Sequence, residues 1–140
     1  MGIIFFMIPP LSHQFLVGHS SLRLKMDFDE EIIKHLEWRT TVENLFRDHD
    51  RSYVSPTMII QDDKCQLGKW IYSSESNIYE NYPAYKTLLL VHKAFHIQAG
   101  TIMTICNNGN FEEASELEDE FYRLSGEVIK CLEELKQLGL

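Results

Sequence analysis

The chain lacks the features that mark several functional classes. It has three cysteines in 140 residues, Cys65, Cys106 and Cys131. An odd number with no framework spacing disfavours a disulfide-stapled secreted fold and favours a reducing compartment, so a cytoplasmic protein is expected. Positive charge is scarce as well, with 13 Lys and Arg against 21 Asp and Glu and a formal net charge of -8. Without clustered Lys and Arg there is no long-range attraction to phosphate backbones or anionic lipid, and neither nucleic acid nor a membrane is an expected partner. Long apolar runs are missing too. Ile3 to Ile8 is interrupted by Pro9, Pro10 and Ser12, far short of the roughly 20 apolar residues that span a bilayer. No basic residue precedes that run and no small-residue cleavage site follows it, as a secretory signal would require. Residues 1–25 are expected to lie outside the working domain, which then occupies 26–140. No internal repeat or low-complexity segment is present.

What the chain does have is helical periodicity. At 44% hydrophobic, a single domain of this size buries about two-thirds of its unfolded surface, enough for a core without disulfides. Phe28, Ile32, His35, Arg39, Val42 and Phe46 fall on one stripe and predict a first helix over about 28–47. His49 to Lys64, with Ser52, Ser55, Pro56 and an Asp pair, reads as a connection with one short apolar turn at Met58 to Ile60. Cys65 to Tyr72 reads as a brief helix. Pro83 suits a first helical turn and opens a helix to about Cys106, which Asn107, Asn108 and Gly109 terminate. Asn110, followed three positions later by Glu113, caps a last helix. Its stripe is Phe111, Ala114, Leu117, Phe121, Leu124, Val128, Cys131, Leu135 and Leu138. The acidic residues Glu112, Glu113, Glu116, Glu118, Asp119 and Glu120 form a solvated face near the positive end of that helix. The expected fold is all-α, an antiparallel bundle of three long helices and one short Cys-bearing helix, like a four-helix bundle.

The chemistry centres on His92 and His96, four residues apart on one helix and hence on one face. Both lie in the apolar stripe between Leu88/Leu89 and Ala99, where an unsatisfied imidazole is costly. His35 occupies the same kind of position on the first helix. Cys65 adds a fourth candidate ligand. Three imidazoles and a thiolate suit tetrahedral zinc rather than magnesium or calcium, and four protein ligands would close the site against substrate. A zinc protease would place a glutamate beside the first histidine, but His92 is followed by Lys93, Ala94 and Phe95. His13, His19 and His49 have no partner at useful spacing. Trp38, Trp70, Tyr82 and Tyr85 are expected to pack around the ligands, and Cys106 and Cys131 to behave as small core residues.

In order along the chain stand His35 with Trp38 three residues later, then Cys65-Gln66-Leu67-Gly68-Lys69-Trp70, then Tyr82-Pro83, then His92 and His96. This order resembles the chemoreceptor zinc-binding domain of bacterial chemotaxis receptors and some diguanylate cyclases, over about residues 28–138. The resemblance implies a helical bundle that binds zinc through His35, Cys65, His92 and His96, forms a homodimer, and uses the cysteine as its redox-responsive ligand. It also implies a regulatory rather than catalytic role in signalling. The family's usual effector region, a receptor coiled coil or a cyclase domain, does not fit in this chain, so a signalling protein partner or self-association would read the site. Two other readings stay open. A hemerythrin-like di-iron, oxygen-binding bundle would need more His and bridging carboxylates, and the position four after His35 is Arg39. A Cys-His hydrolase would need Cys65 as nucleophile with one imidazole free and no metal.

Overall fold

The computed structural model describes residues 25–48 and 55–140. The expected division at residue 25, the apolar run at Ile3 to Ile8, His13, His19 and His49 lie outside the described residues, apart from Lys25 itself. The described residues are helical with no strand. The elements in order are α1 (Phe28–Asp48), α2 (Pro56–Ile59), α3 (Gln66–Ile71), a 3-10 turn (Ser74–Tyr79), α4 (Pro83–Asn107), α5 (Phe111–Ser115) and α6 (Glu118–Gln137).

The three long helices form the body. α6 packs along both α4 and α1. Phe95 of α4 stacks on Phe121 of α6 with ring centroids 5.2 Å apart, and Gln98 donates to the Leu117 carbonyl at 3.2 Å, so the two helices run antiparallel. Asp29 at the start of α1 pairs with Lys136 near the end of α6, and Arg39 lies over the Tyr122 ring near the start of α6, which is the same antiparallel relation. α1 and α4 are therefore parallel to each other. Their contact is made by His35 against His92 and Phe95, and by Trp38 against Phe95. By length and composition, α4 is the one helix among the described residues that could cross a membrane. Its buried side, which includes Tyr85, Leu88, His92, Phe95, His96, Ala99, Ile102, Met103 and Cys106, makes it the central helix of the core.

The buried stripe of α1 sits one position away from the expected one. Phe28, Glu31, His35, Trp38, Val42 and Leu45 are buried, while Ile32, Arg39 and Phe46 are only partly so. Both series step by three and four. The observed one wins because it places the Trp38 indole, the largest side chain available, wholly in the core.

The last helix differs from expectation in being two. Around Glu116 and Leu117 the backbone bonds shorten to the i to i−3 pattern, from Glu116 N–H to the Glu113 carbonyl and from Leu117 N–H to the Ala114 carbonyl. This tightened turn separates α5 from α6. Asn110 caps α5 as expected, its side chain accepting from the Glu113 amide at 3.3 Å. In α6, Leu132 is fully buried, whereas Leu138, the residue after its end, is exposed.

The short elements line one side of α4. α2 crosses it at Gly100, where an added Cβ would lie 3.1 Å from the Ile60 Cβ and 3.3 Å from the Ile59 Cγ2. α3 and the 3-10 turn are tied down by Tyr85, whose hydroxyl donates to the Ile71 carbonyl at 3.0 Å and lies 2.8 Å from Ser76 Oγ. Trp70 fills the space between them, edge-on to Phe28 and Tyr85 and tilted against Tyr79.

Candidate metal centre

Two neighbouring turns of α4 present His92 and His96 toward α3. Both imidazoles are fully buried. Cys65 is the N-cap residue of α3, extended in backbone, with its sulfur accepting from the Gly68 amide at 3.3 Å. The cap satisfies one of the amides that a helix start leaves open, and it turns the sulfur toward α4. Gly68 is required for that placement. A Cβ there would fall 1.7 Å from the Asp62 carbonyl oxygen, so only glycine lets α3 close on the turn before it.

The three donor atoms converge. Cys65 Sγ lies 3.3 Å from His92 Nε2 and 3.4 Å from His96 Nε2, and the two nitrogens are 3.1 Å apart. Zinc bound at about 2.3 Å to sulfur and about 2.0 Å to nitrogen with tetrahedral angles sets S to N edges of about 3.5 Å and N to N edges of about 3.3 Å. The observed triangle is smaller by only a few tenths of an ångström. A single thiol proton can serve one of the two imidazoles, whereas a cation at the centre of the triangle serves all three donors.

The protonation states agree with metal binding. His96 Nδ1 is 2.7 Å from the Ile59 carbonyl, which can only accept, so the proton sits on Nδ1 and the Nε2 lone pair faces Cys65. His35 is fixed in the same way, with Nδ1 2.9 Å from the Glu31 carbonyl. Burial lowers the affinity of all three imidazoles for protons. It holds His35 down at about 4, presses His92 well below the usual histidine value, and lowers His96. Neutral imidazole is the form a metal takes. Burial pushes the Cys65 thiol up to about 12, so a bound metal has to displace its proton.

These directions count against a cysteine nucleophile. That role needs a thiolate beside an imidazolium, and burial drives both partners toward their neutral forms. Cys65 is also only 2% exposed, so its sulfur is not presented on the surface as a nucleophile toward a substrate would be. Nor does the di-iron arrangement match, because among the described residues the cluster of donors within 4.8 Å of one another consists of Cys65, His92 and His96, with no carboxylate.

Of the four expected ligands, the structure thus brings three together. His35 borders the triangle without joining it, its ring centroid 5.9 Å from that of His92. Trp38, Trp70 and Tyr85 are buried, Trp38 edge-on to Phe95 and Trp70 edge-on to Phe28 and Tyr85, while Tyr82 is the partly buried N-cap of α4. Cys106 and Cys131 are buried in the core.

Three groups around the centre went unread in the sequence. The Ile59 carbonyl is a backbone atom that no side chain announces. Glu31 is buried beneath the site with its carboxyl lifted to about 6 by burial, and Lys34 lies 3.3 Å from it. The signal for Glu31 was the alternative stripe of α1, which passes through Glu31 and His35.

No curated protein and no solved structure matches the chain. The model of the chemoreceptor zinc-binding domain matches residues 35–103. That span begins at His35 and encloses Cys65, Gly68, Trp70, His92 and His96, the residues from which the centre is built. The family so matched is the one that the order of motifs along the chain resembles.

Proposed function

We propose that this chain is a zinc-dependent regulatory module in which His35, Cys65, His92 and His96 hold one zinc ion, and that loss of zinc or oxidation of Cys65 changes the packing of α3. The triangle of Cys65 Sγ with the Nε2 atoms of His92 and His96 carries the reading. His35 is the fourth ligand because its Nδ1 is committed to the Glu31 carbonyl, which leaves Nε2 as the lone-pair atom on a ring beside His92. A bound zinc would supply charge to hold the sulfur as thiolate, and a closed set of four ligands leaves no position for substrate.

The readout belongs to a partner. α3 is the part free to respond, since it is a single short helix whose displacement leaves α1, α4 and α6 packed on each other. A second copy of the chain would cover the exposed apolar side chains Ile33 and Leu36 of α1 and Leu90 and Ile97 of α4, giving a homodimer. A signalling protein of a chemoreceptor or diguanylate cyclase pathway would then read its state. Three buried cysteines, an odd number, fit a cytoplasmic setting.

Metal analysis of protein purified without chelator or added metal tests the reading, with one zinc per chain expected. Cys65→Ala, His96→Ala and His35→Ala should each weaken zinc binding strongly in a competition titration. Full affinity in the first two variants would reject the site, and full affinity in His35→Ala alone would reduce it to three protein ligands. Sedimentation at several concentrations tests the dimer, which Leu90→Lys should dissociate.

A further inference from the structure

The segment carrying Cys65 is held differently at its two ends. Its C-terminal end is fixed to α4 by the Tyr85 hydroxyl on the Ile71 carbonyl, with Ser76 bridging to the same carbonyl at 2.9 Å. Its N-terminal end meets α1 through a side-chain link from Lys34 Nζ to Gln66 Oε1, and Gln66 is the residue after Cys65. The reason Lys34 stands there lies in Glu31. That carboxylate is 2% exposed, and a buried carboxylate without a compensating cation is strongly unfavourable. Lys34 Nζ lies 3.3 Å from Glu31 Oε2 and 3.3 Å from Glu30 Oε1, with only 16% of its side chain exposed. An ammonium has three donors in a compact head. Two face carboxylates one turn and less away on α1, and the third reaches across to α3.

We propose that Lys34, kept in place by Glu31, is a positioning residue for Cys65: it latches Gln66 to α1 and so sets how easily the sulfur leaves the donor triangle. The inference rests on reading that triangle as a zinc site. The latch gives the N-terminal end of α3 a hold that does not depend on the metal. When the sulfur loses its metal, α3 stays docked until the Lys34 to Gln66 link also breaks. Movement of α3 would moreover open Glu31 and Lys34 to water together, so the ion pair favours the closed position only while it is shielded.

The test uses the full chain. Zinc-loaded protein is mixed with excess 4-(2-pyridylazo)resorcinol and zinc transfer is timed; in metal-stripped protein, backbone hydrogen exchange is followed over residues 65–72. Gln66→Met keeps the side-chain length and removes the acceptor, and it is expected to speed both processes about tenfold, the size of effect for losing a hydrogen bond to a charged group. Gln66→Glu retains an acceptor for Lys34 and should stay near the parent rates, which a packing role for Gln66 would not produce. Lys34→Met should match Gln66→Met, and the double variant should be no faster than either single one. Parent rates in Gln66→Met, or equal acceleration in Gln66→Met and Gln66→Glu, would overturn the latch. If the parent protein takes up no zinc, the zinc reading fails, and the hydrogen exchange in metal-free protein decides the latch by itself. Gln66→Met carries the test even where Lys34→Met does not fold, because it leaves the Glu31 to Lys34 pair intact.

Discussion

His96 and Ile59 are joined by a bond of 2.7 Å from imidazole Nδ1 to backbone carbonyl, and this bond decides which nitrogen of His96 faces Cys65. Ile59 ends α2, a helix of four residues. A helix so short has little stability of its own. It is placed by the close approach of α2 to α4 at Gly100, one turn beyond His96.

Gly100→Val should therefore weaken metal binding without touching a ligand. A Cβ at Gly100 already comes within 3.4 Å of the Pro56 carbonyl and closer still to Ile59 and Ile60, and the valine branches would push α2 outward. Losing the partner of a metal-bound histidine typically costs about 10- to 100-fold in affinity. A competition titration should show a fall of that order with the helical circular dichroism retained. Parent affinity in Gly100→Val would mean that α2 does not orient His96.

Gly68 and Gly126 should respond in opposite ways to the same substitution. Gly68→Ala sets a Cβ against the Asp62 carbonyl, a rigid backbone atom, so α3 must shift and take Cys65 with it. Overpacking of this kind costs about 1–3 kcal/mol or more, and zinc binding should suffer as much as in Cys65→Ala. Gly126 lies within α6 with nothing within 4 Å of an added Cβ. Gly126→Ala should raise stability to unfolding by about 0.5–1 kcal/mol, through helix propensity alone, and leave zinc binding unchanged. Thermal melts and zinc titrations of the two variants make the comparison.

The parts of the centre legible in the sequence are those carried by side chains at fixed spacing. His92 and His96 lie one turn apart on a helix that Pro83 starts, and Cys65 stands at the start of the brief helix expected up to Tyr72. The stripe of α1 was ambiguous because Ile32, Arg39 and Phe46 obey the same steps as Glu31, Trp38 and Leu45. A buried carboxylate is also the last residue a hydrophobic pattern would choose. The 3-10 turn Ser74–Tyr79 has no apolar period to betray it, and it owes its place to Ser76 and Tyr85. The break between α5 and α6 interrupts a stripe that runs evenly through it, so periodicity alone reads one helix there.

Metal-free protein should lose stability as the pH falls from about 6.5 toward 4. Burial depresses the folded-state values of His35, His92 and His96, so over that range the unfolded chain binds more protons than the folded one. Their contribution is complete above the ordinary value of 6.5 and is lost as protons are added. For His35, held at about 4, the loss is about 3 kcal/mol. Glu31 acts in the opposite sense. Burial raises its carboxyl from 4.5 to about 6, so the folded state takes that proton first and gains about 2 kcal/mol across that interval. Three histidines outweigh one carboxyl. Melts of chelator-treated protein should fall in Tm between pH 7 and 5, and Glu31→Gln should steepen the fall below pH 6. A Tm that rises on acidification would contradict the burial of neutral imidazoles.

Cys65 should be oxidised first among the cysteines, and faster with zinc than without it. In metal-free protein burial pushes Cys65 to about 12 and Cys131 to about 11, so both are thiols at neutral pH, and Cys106 is fully buried. A thiol is a poor target, because oxidants take the electron pair of a thiolate. With zinc bound the sulfur is deprotonated, and the Gly68 amide bond at 3.3 Å favours the same form. Hypochlorite or hydrogen peroxide then transfers one oxygen to sulfur, which loses two electrons and becomes a sulfenate, while chloride or water departs. Oxygen on the sulfur weakens it as a ligand, so zinc release should follow modification. Limiting oxidant, peptide mass mapping and a zinc-release assay on the same samples measure both events. Earlier modification of Cys106 or Cys131 would refute the assignment of Cys65 as the reactive sulfur. Faster modification of Cys65 in stripped protein would show instead that zinc shields it.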